Sequence, residues 1–137
     1  MKYKGKVDLW WWMVLITVNG LICWILIDPE KTNINPLFVI MILGICDIFM
    51  LHMTFKNYVL LSESSMNIVL GVFKMTIRYE EVLTVKKTKN PLSSMALSLD
   101  RLEIRSRKNI VFISVKNREE FINDLSSRNP KINIEIH

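Results

Sequence analysis

Within residues 37–53, "LFVIMILGICDIFMLHM", Asp47 and His52 are the only titratable side chains apart from the thiol of Cys46. A carboxylate near an imidazole can pass a proton, but general acid–base work also needs a reacting group within hydrogen-bond reach. The rest of the inventory is thin. His137 is the one other histidine, there are four glycines, and no C-x-x-C, H-E-x-x-H, G-x-S-x-G or phosphate-cradling loop occurs. Glu80 with Glu81 and Glu119 with Glu120 are paired acids. Neighbours on a strand point to opposite faces, and acids at a helix start favour its positive end, so structural roles account for both pairs. "SLDR" at 98–101 offers Ser98, Asp100 and Arg101 as a small polar site, and a turn closed by an Asp–Arg ion pair accounts for the same residues. No catalytic residue, metal-ligand set or cofactor follows from this inventory, which sets enzyme classes aside.

What Asp47 does depends on the solvent around it. Half of the 137 residues are hydrophobic, and they crowd into the first 55 positions. Residues 9–27 and 37–55 are each about 19 long, close to the roughly 20 that a helix needs to cross the hydrocarbon core. The first, "LWWWMVLITVNGLICWILI", has no ionisable group except the thiol of Cys23. A cleaved signal peptide is the rival reading, since Lys2, Lys4 and Lys6 precede an apolar run. That run is longer than the roughly 7–15 residues of a cleavable segment and ends in "WILIDPE", without small residues, so it reads as an uncleaved anchor.

Lysine and arginine collect on the cytoplasmic side of short flanks. Residues 1–8 hold three lysines against Asp8, whereas the connector 28–36 holds Asp28 and Glu30 against Lys31. The expected topology in the cytoplasmic membrane is a two-pass hairpin, residues 1–56, with both ends inside and 28–36 as its outer loop. Trp10, Trp11, Trp12 and Tyr58 fall at one expected interface, where amphipathic rings settle. Both cysteines lie inside the spans, so no disulfide framework is implied.

In an antiparallel hairpin, residues whose numbers sum to about 64 lie at one depth. Gly20 then faces Gly44, a pair that would let the helices cross closely, as small residues do in membranes. Asn19 and Asp47 are expected to meet on the same face. An unpaired intramembrane carboxylate is costly, so a hydrogen bond across the hairpin is the first reading, and a proton relay or ligand site is the alternative.

After Lys56 the pattern shifts to short β-rich segments. In "FKMTIRY", Phe73, Met75, Ile77 and Tyr79 share one face while Lys74, Thr76 and Arg78 take the other. "NREEFINDLSSRNP" changes to a helical period, with Phe121, Ile122 and Leu125 on one face. Asn117 and Glu120 are placed as a capping box, and Asn129 and Pro130 end the helix. Residues 57–137 are therefore expected to form an antiparallel barrel or curled sheet with a C-terminal amphipathic helix over one opening. The whole reads as a membrane-anchored α+β chain.

Residues 56–137 carry 14 basic and 9 acidic side chains. The cations alternate with acids instead of forming a stripe, so nucleic acid is not the expected partner, and the lipid bilayer is. Arg101, Arg105, Arg107 and Lys108 are the candidate contacts to anionic lipid. Solvated strand edges that discourage aggregation are the alternative. Oligomeric state is not legible.

"KMTIRYEEVLTV", "PLSSMALSLDRLEI" and "EEFINDLSSRNP" resemble a bacterial pleckstrin-homology-like (PH-like) family whose pattern runs through I-P-Y-E-E-I, P-L-S-S-P-A-L-S-L-D-R, I-S-P-K and F-I-x-x-L-x-x-R-N-P. The resemblance covers about 60 residues and departs at Arg78, Met95 and Val115, where the pattern has proline. It implies a PH-like fold for the β region. Together with the hairpin it implies a membrane protein that shields a producing cell from a bacteriocin, with that peptide or its membrane target as partner.

Overall fold

The computed structural model describes residues 1–89 and 96–136. Helix α1 spans Leu9–Ile27 and α2 spans Pro36–Phe55, joined through a short 3-10 turn at Pro29–Lys31. The start of α2 has a local cause. The Asn35 side chain accepts a hydrogen bond from the Leu37 amide, and Pro36 fills the first helical position, where no amide donor is needed.

The two helices meet along a seam of mostly apolar side chains. On α1 the shielded positions are Trp11, Leu15, Val18, Ile22 and Ile25, and on α2 they include Ile40, Leu43, Asp47, Met50 and Thr54. This alternating spacing of four and three is the left-handed, knobs-into-holes pattern. The expected glycine crossing is not what the structure has. A Cβ added at Gly20 or Gly44 would meet nothing within 4 Å. Gly20 is rotated about 100° from Asn19 around a helix of 3.6 residues per turn. The face that carries Asn19 to Asp47 therefore carries Gly20 away from α2.

The β region contains β2 (Asn57–Leu61), β3 (Ser65–Leu70), β4 (Phe73–Arg78), β5 (Val82–Thr88), β6 (Arg101–Ser106), β7 (Ile110–Ile113), α3 (Arg118–Arg128) and β8 (Asn133–Glu135). A strand ahead of the hairpin, β1 (Lys2–Lys4), completes it. Two four-stranded sheets result, in the orders β1-β2-β3-β4 and β7-β6-β5-β8. All pairings between neighbours in sequence are antiparallel, and β8 joins β5 in parallel. The helix α3 is thus followed by one more strand, where the sequence suggests the helix as the last element.

Residues 1–7 correct the expected division at 56/57. Tyr3 pairs with Val59 in the first sheet. Gly5 bridges to Val115, just past β7, and Val7 to Leu97, in the segment before β6, so the same stretch also ties to residues flanking the second sheet. Alternation explains it: Lys2 and Lys4 point outward while Tyr3, 5 % exposed, enters the core.

Phe121 and Leu125 of α3 are fully buried against Met66, Ile68, Val85 and Ile104 of the two sheets. This is the three-residue apolar face read from the sequence. The capping box does not form. The Asn117 amide donates to the Glu120 carboxylate at 3.2 Å, and no side-chain bond caps the helix amides.

The inward face of β4 follows its alternation with a gradient: Ile77 and Tyr79 are buried, Met75 is half-buried, and Phe73 is exposed at the β3–β4 turn. That turn uses Gly71 at φ +60°, a conformation open to glycine. A Cβ there would come within 2.8 Å of Met53 Cγ, so the turn packs on the last turn of α2. Arg78, where the family pattern has proline, keeps φ −74°, which a proline ring would also impose. Val115, 5 % exposed, keeps the bridge to Gly5. Met95 lies outside the described residues.

Candidate functional site

Three polar features stand out, one inside the hairpin and two in the β region and its N-terminal strand. The first is the pair inside the seam. Asn19 Nδ2 donates to Asp47 Oδ1 at 2.8 Å and to the Leu15 carbonyl at 2.9 Å. Trp11 Nε1 donates to Thr54 Oγ1 at 2.8 Å, one further rung of the same antiparallel ladder. Their numbers sum to 66 and 65, close to the depth rule drawn from the loop length. The two bonds fix register and rotation. His52 sits at the α2 end, where its carbonyl accepts from the Lys56 amide, and does not join the pair. Cys23 and Cys46 are both exposed.

The second feature is a joint between the N-terminal segment, the loop before β6 and α3. Asp100 receives Lys6 Nζ at 3.1 Å and Arg118 at 2.7 Å. Asp8 does not cap α1, and its carboxylate accepts the Leu99 amide at 2.8 Å. Burial acts to raise the Asp100 carboxyl, but the Lys6 hydrogen bond and the Arg118 and Lys6 charges outweigh it and hold it below the ordinary value. The Asp–Arg pair expected within "SLDR" is replaced by these partners. Arg101 is 4 % exposed and donates through Nε to the Ser98 carbonyl at 2.6 Å. Burial lowers its affinity for the proton, and the Asp8 charge opposes that.

The expected lipid-contact cluster therefore disperses. Arg101 is walled in by the loop that carries Ser98, Arg105 bonds Glu103 on the same strand, and Lys108 reaches Glu81 at 3.5 Å. Arg107 stays exposed and bonds the Glu81 carbonyl through its amide. Closeness in sequence did not become one surface, because β6 splits its residues between a covered end and an open one.

The third feature, missed from the sequence, is the basic face of β1. Lys2 and Lys4 stand on its outer side, and the Lys116 amide donates to the Lys4 carbonyl at 3.0 Å, bringing a third lysine alongside. The alternation of "KYK" around one tyrosine was the available signal. Its position ahead of an apolar run made it read as a topology flank.

Among the described residues no group of three or more His, Cys, Asp or Glu is placed to hold a metal ion. A cleft of about 650 Å³ is lined by Lys6, Asp100, Lys116, Arg118 and Glu119 among others, and mixes both signs of charge. It contains no nucleophile paired with a base.

Two β sheets closed by a helix, on a hairpin long and apolar enough to cross a membrane, define a PH-like domain joined to a candidate membrane anchor. The family model for the bacterial PH domain matches residues 56–129, more than half of the chain, and the protein belongs to that family. No curated protein matches it.

Proposed function

We propose that this chain is a non-catalytic membrane protein that gives a bacterial cell immunity to a bacteriocin. In this reading the hairpin crosses the cytoplasmic membrane twice and the PH-like domain lies against its inner surface. The observation that carries the membrane part is the pairing of β1 with β2. These strands immediately flank the hairpin, so their hydrogen bonds require both helix ends to leave the bilayer on one side. The exposed side chains of α1 and α2 support it too: only 11 % and 0 % of their apolar windows are buried, unlike the core helices of a soluble protein. Lys2, Lys4 and Lys6 favour the cytoplasm for that side.

Immunity rests on the resemblance of the whole layout, hairpin then PH-like domain, to the sublancin immunity protein. The abundance of Lys, Asn and Ile fits a low-GC Gram-positive producer. The direct test is expression in a sensitive strain followed by killing curves with sublancin and several unrelated bacteriocins. Raised tolerance to at least one supports the reading, and unchanged killing by all of them rejects it.

The charged cleft at Asp100 and Arg118 favours a second reading, a membrane-tethered scaffold that recruits a cytoplasmic partner. A recruiter should lose its function on Glu119→Lys while remaining in the membrane. A protein that protects from within the bilayer should not.

A further inference from the structure

We infer that the root of the hairpin carries a binding site for the phosphate of an anionic phospholipid headgroup, formed by Lys2, Lys4, Lys116 and the side-chain amide of Asn57. This rests on the membrane-spanning reading above and adds a ligand to it.

A cavity of about 310 Å³ lies between β1 and the ends of the two helices. Lys2, Lys4 and Lys116 line it, together with Trp12, Asn57 and Tyr58. No acidic residue does. All three lysines are exposed, and none is within ion-pair distance of a carboxylate among the described residues. Lys2 Nζ sits 4.1 Å from the centroid of the Tyr58 ring, held over an aromatic face instead of an acid.

The second observation is independent of charge. Asn57 is 8 % exposed, and its Nδ2 is the buried side-chain polar atom left without a hydrogen-bond partner among the described residues. An unmet buried donor is costly and rare in a folded protein. The chain makes room for this amide at the expense of a side chain next door: a Cβ at residue 5 would overlap the Asn57 amide, and residue 5 is glycine. Asn57 lines the cavity together with three lysines and no acid, a set that selects an anion.

Location decides which anion. Trp12 belongs to the first turn of α1, and the cavity also reaches Phe55 at the end of α2. Aromatic rings of this kind settle at the membrane–water interface, the level of the phosphates. A phosphate dissolved in the cytoplasm would offer the same oxygens, so the experiment has to separate the two sources.

The full chain is reconstituted in nanodiscs of phosphatidylcholine with or without phosphatidylglycerol, and lipid retained on the protein after detergent exchange is identified by native mass spectrometry. Phosphatidylglycerol should be enriched on the wild type. Each lysine removed should weaken that enrichment about fivefold, so K2Q/K4Q/K116Q should lower it on the order of a hundredfold. Asn57→Ala should lower it with all charges kept, and Lys108→Gln, outside the cavity, should leave it unchanged. Equal retention of both lipids, or enrichment that survives K2Q/K4Q/K116Q, overturns the site. Thermal stabilisation by inorganic phosphate equal to that by short-chain phosphatidylglycerol overturns the lipid assignment in favour of a soluble anion. A chain that leaves vesicles on a carbonate wash defeats the spanning reading itself, whereas one that stays but shows no lipid preference defeats only this inference.

Discussion

Tyr3 offers the sharpest test of the clamp between the N-terminal strand and the β domain. Its ring is 5 % exposed and meets the Phe121 ring edge-on, centroids 5.3 Å apart. Its hydroxyl donates to Asp124 Oδ2 at a long 3.3 Å. Truncating a buried aromatic to alanine costs about 3–5 kcal/mol, through lost transfer energy and the cavity left behind. The domain is in the size range where 1 kcal/mol moves Tm by about 4–8 °C, so Tyr3→Ala should lower its Tm by at least roughly 12 °C. Tyr3→Phe removes only a stretched hydrogen bond and should cost no more than about 1 kcal/mol. Tryptophan emission is the wrong probe, because all four tryptophans lie in α1 and report the hairpin. Hydrogen exchange of the β2 and α3 amides, followed against temperature in detergent, reads the domain. If Tyr3→Ala moves that transition by less than about 2 °C, Tyr3 is not a core residue and β1 is an appendage.

Three further outcomes follow from the same geometry. Gly5→Ala must displace the buried Asn57 amide and should destabilise the domain by about 1–3 kcal/mol in chemical denaturation. Asn57→Ala added to it should recover part of that loss, and simple additivity of the two would refute the clash. Asp47→Asn keeps an acceptor for Asn19 and should leave both hairpin and protection intact, while Asp47→Leu should cost only about 0.6 kcal/mol of helix association in a membrane dimerisation or unfolding assay. Loss of protection in Asp47→Asn alone would point instead to proton transfer. Because the Asp100 carboxyl titrates below its ordinary 3.8, its contribution to stability is complete above that pH and disappears as pH falls through the lower folded value. Asp100→Asn should flatten the acid limb of a stability–pH curve, and an unaltered limb would show that the Lys6 and Arg118 contacts carry no linkage.

The elements most legible in the sequence are those whose periodicity is long or strict. The two long apolar helices, β4 with its alternating face and α3 with Phe121, Ile122 and Leu125 all fall within a residue or two of expectation. The strands missed, β1 and β8, are three residues each, too short for a period to register. Lys2 and Lys4 were also ambiguous, since a cationic flank and the outer face of an edge strand call for the same residues. The depth of Asn19 and Asp47 followed from loop length alone, but helix rotation did not. Rotation is fixed by which side chains fill the seam, and here larger side chains fill it, Gly20 turns away, and a Cβ at Gly44 would meet nothing within 4 Å. The basic residues at 101–108 were close in number, yet tertiary covering by the loop at Ser98 removed Arg101 from the surface, which no local pattern encodes.

Chain order gives the clamp a consequence for folding. The family match begins at residue 56, but the sheet of this protein draws β1 from the other side of the hairpin. The hairpin is therefore an insertion between two paired strands, and closing β1 onto β2 across a flexible chain of that length would carry a substantial loop entropy. Two helices packed antiparallel remove most of it. Once the Asn19–Asp47 and Trp11–Thr54 bonds set their register, Asp8 and Lys56 emerge side by side and the strands beyond them need only zip. A preformed hairpin is then expected to ease the closing of β1 onto β2. The domain in turn fixes the roots of the helices through Asp8 to Leu99, Gly71 to Lys56 and Lys6 to Asp100. Each half supplies the geometry that the other cannot specify alone.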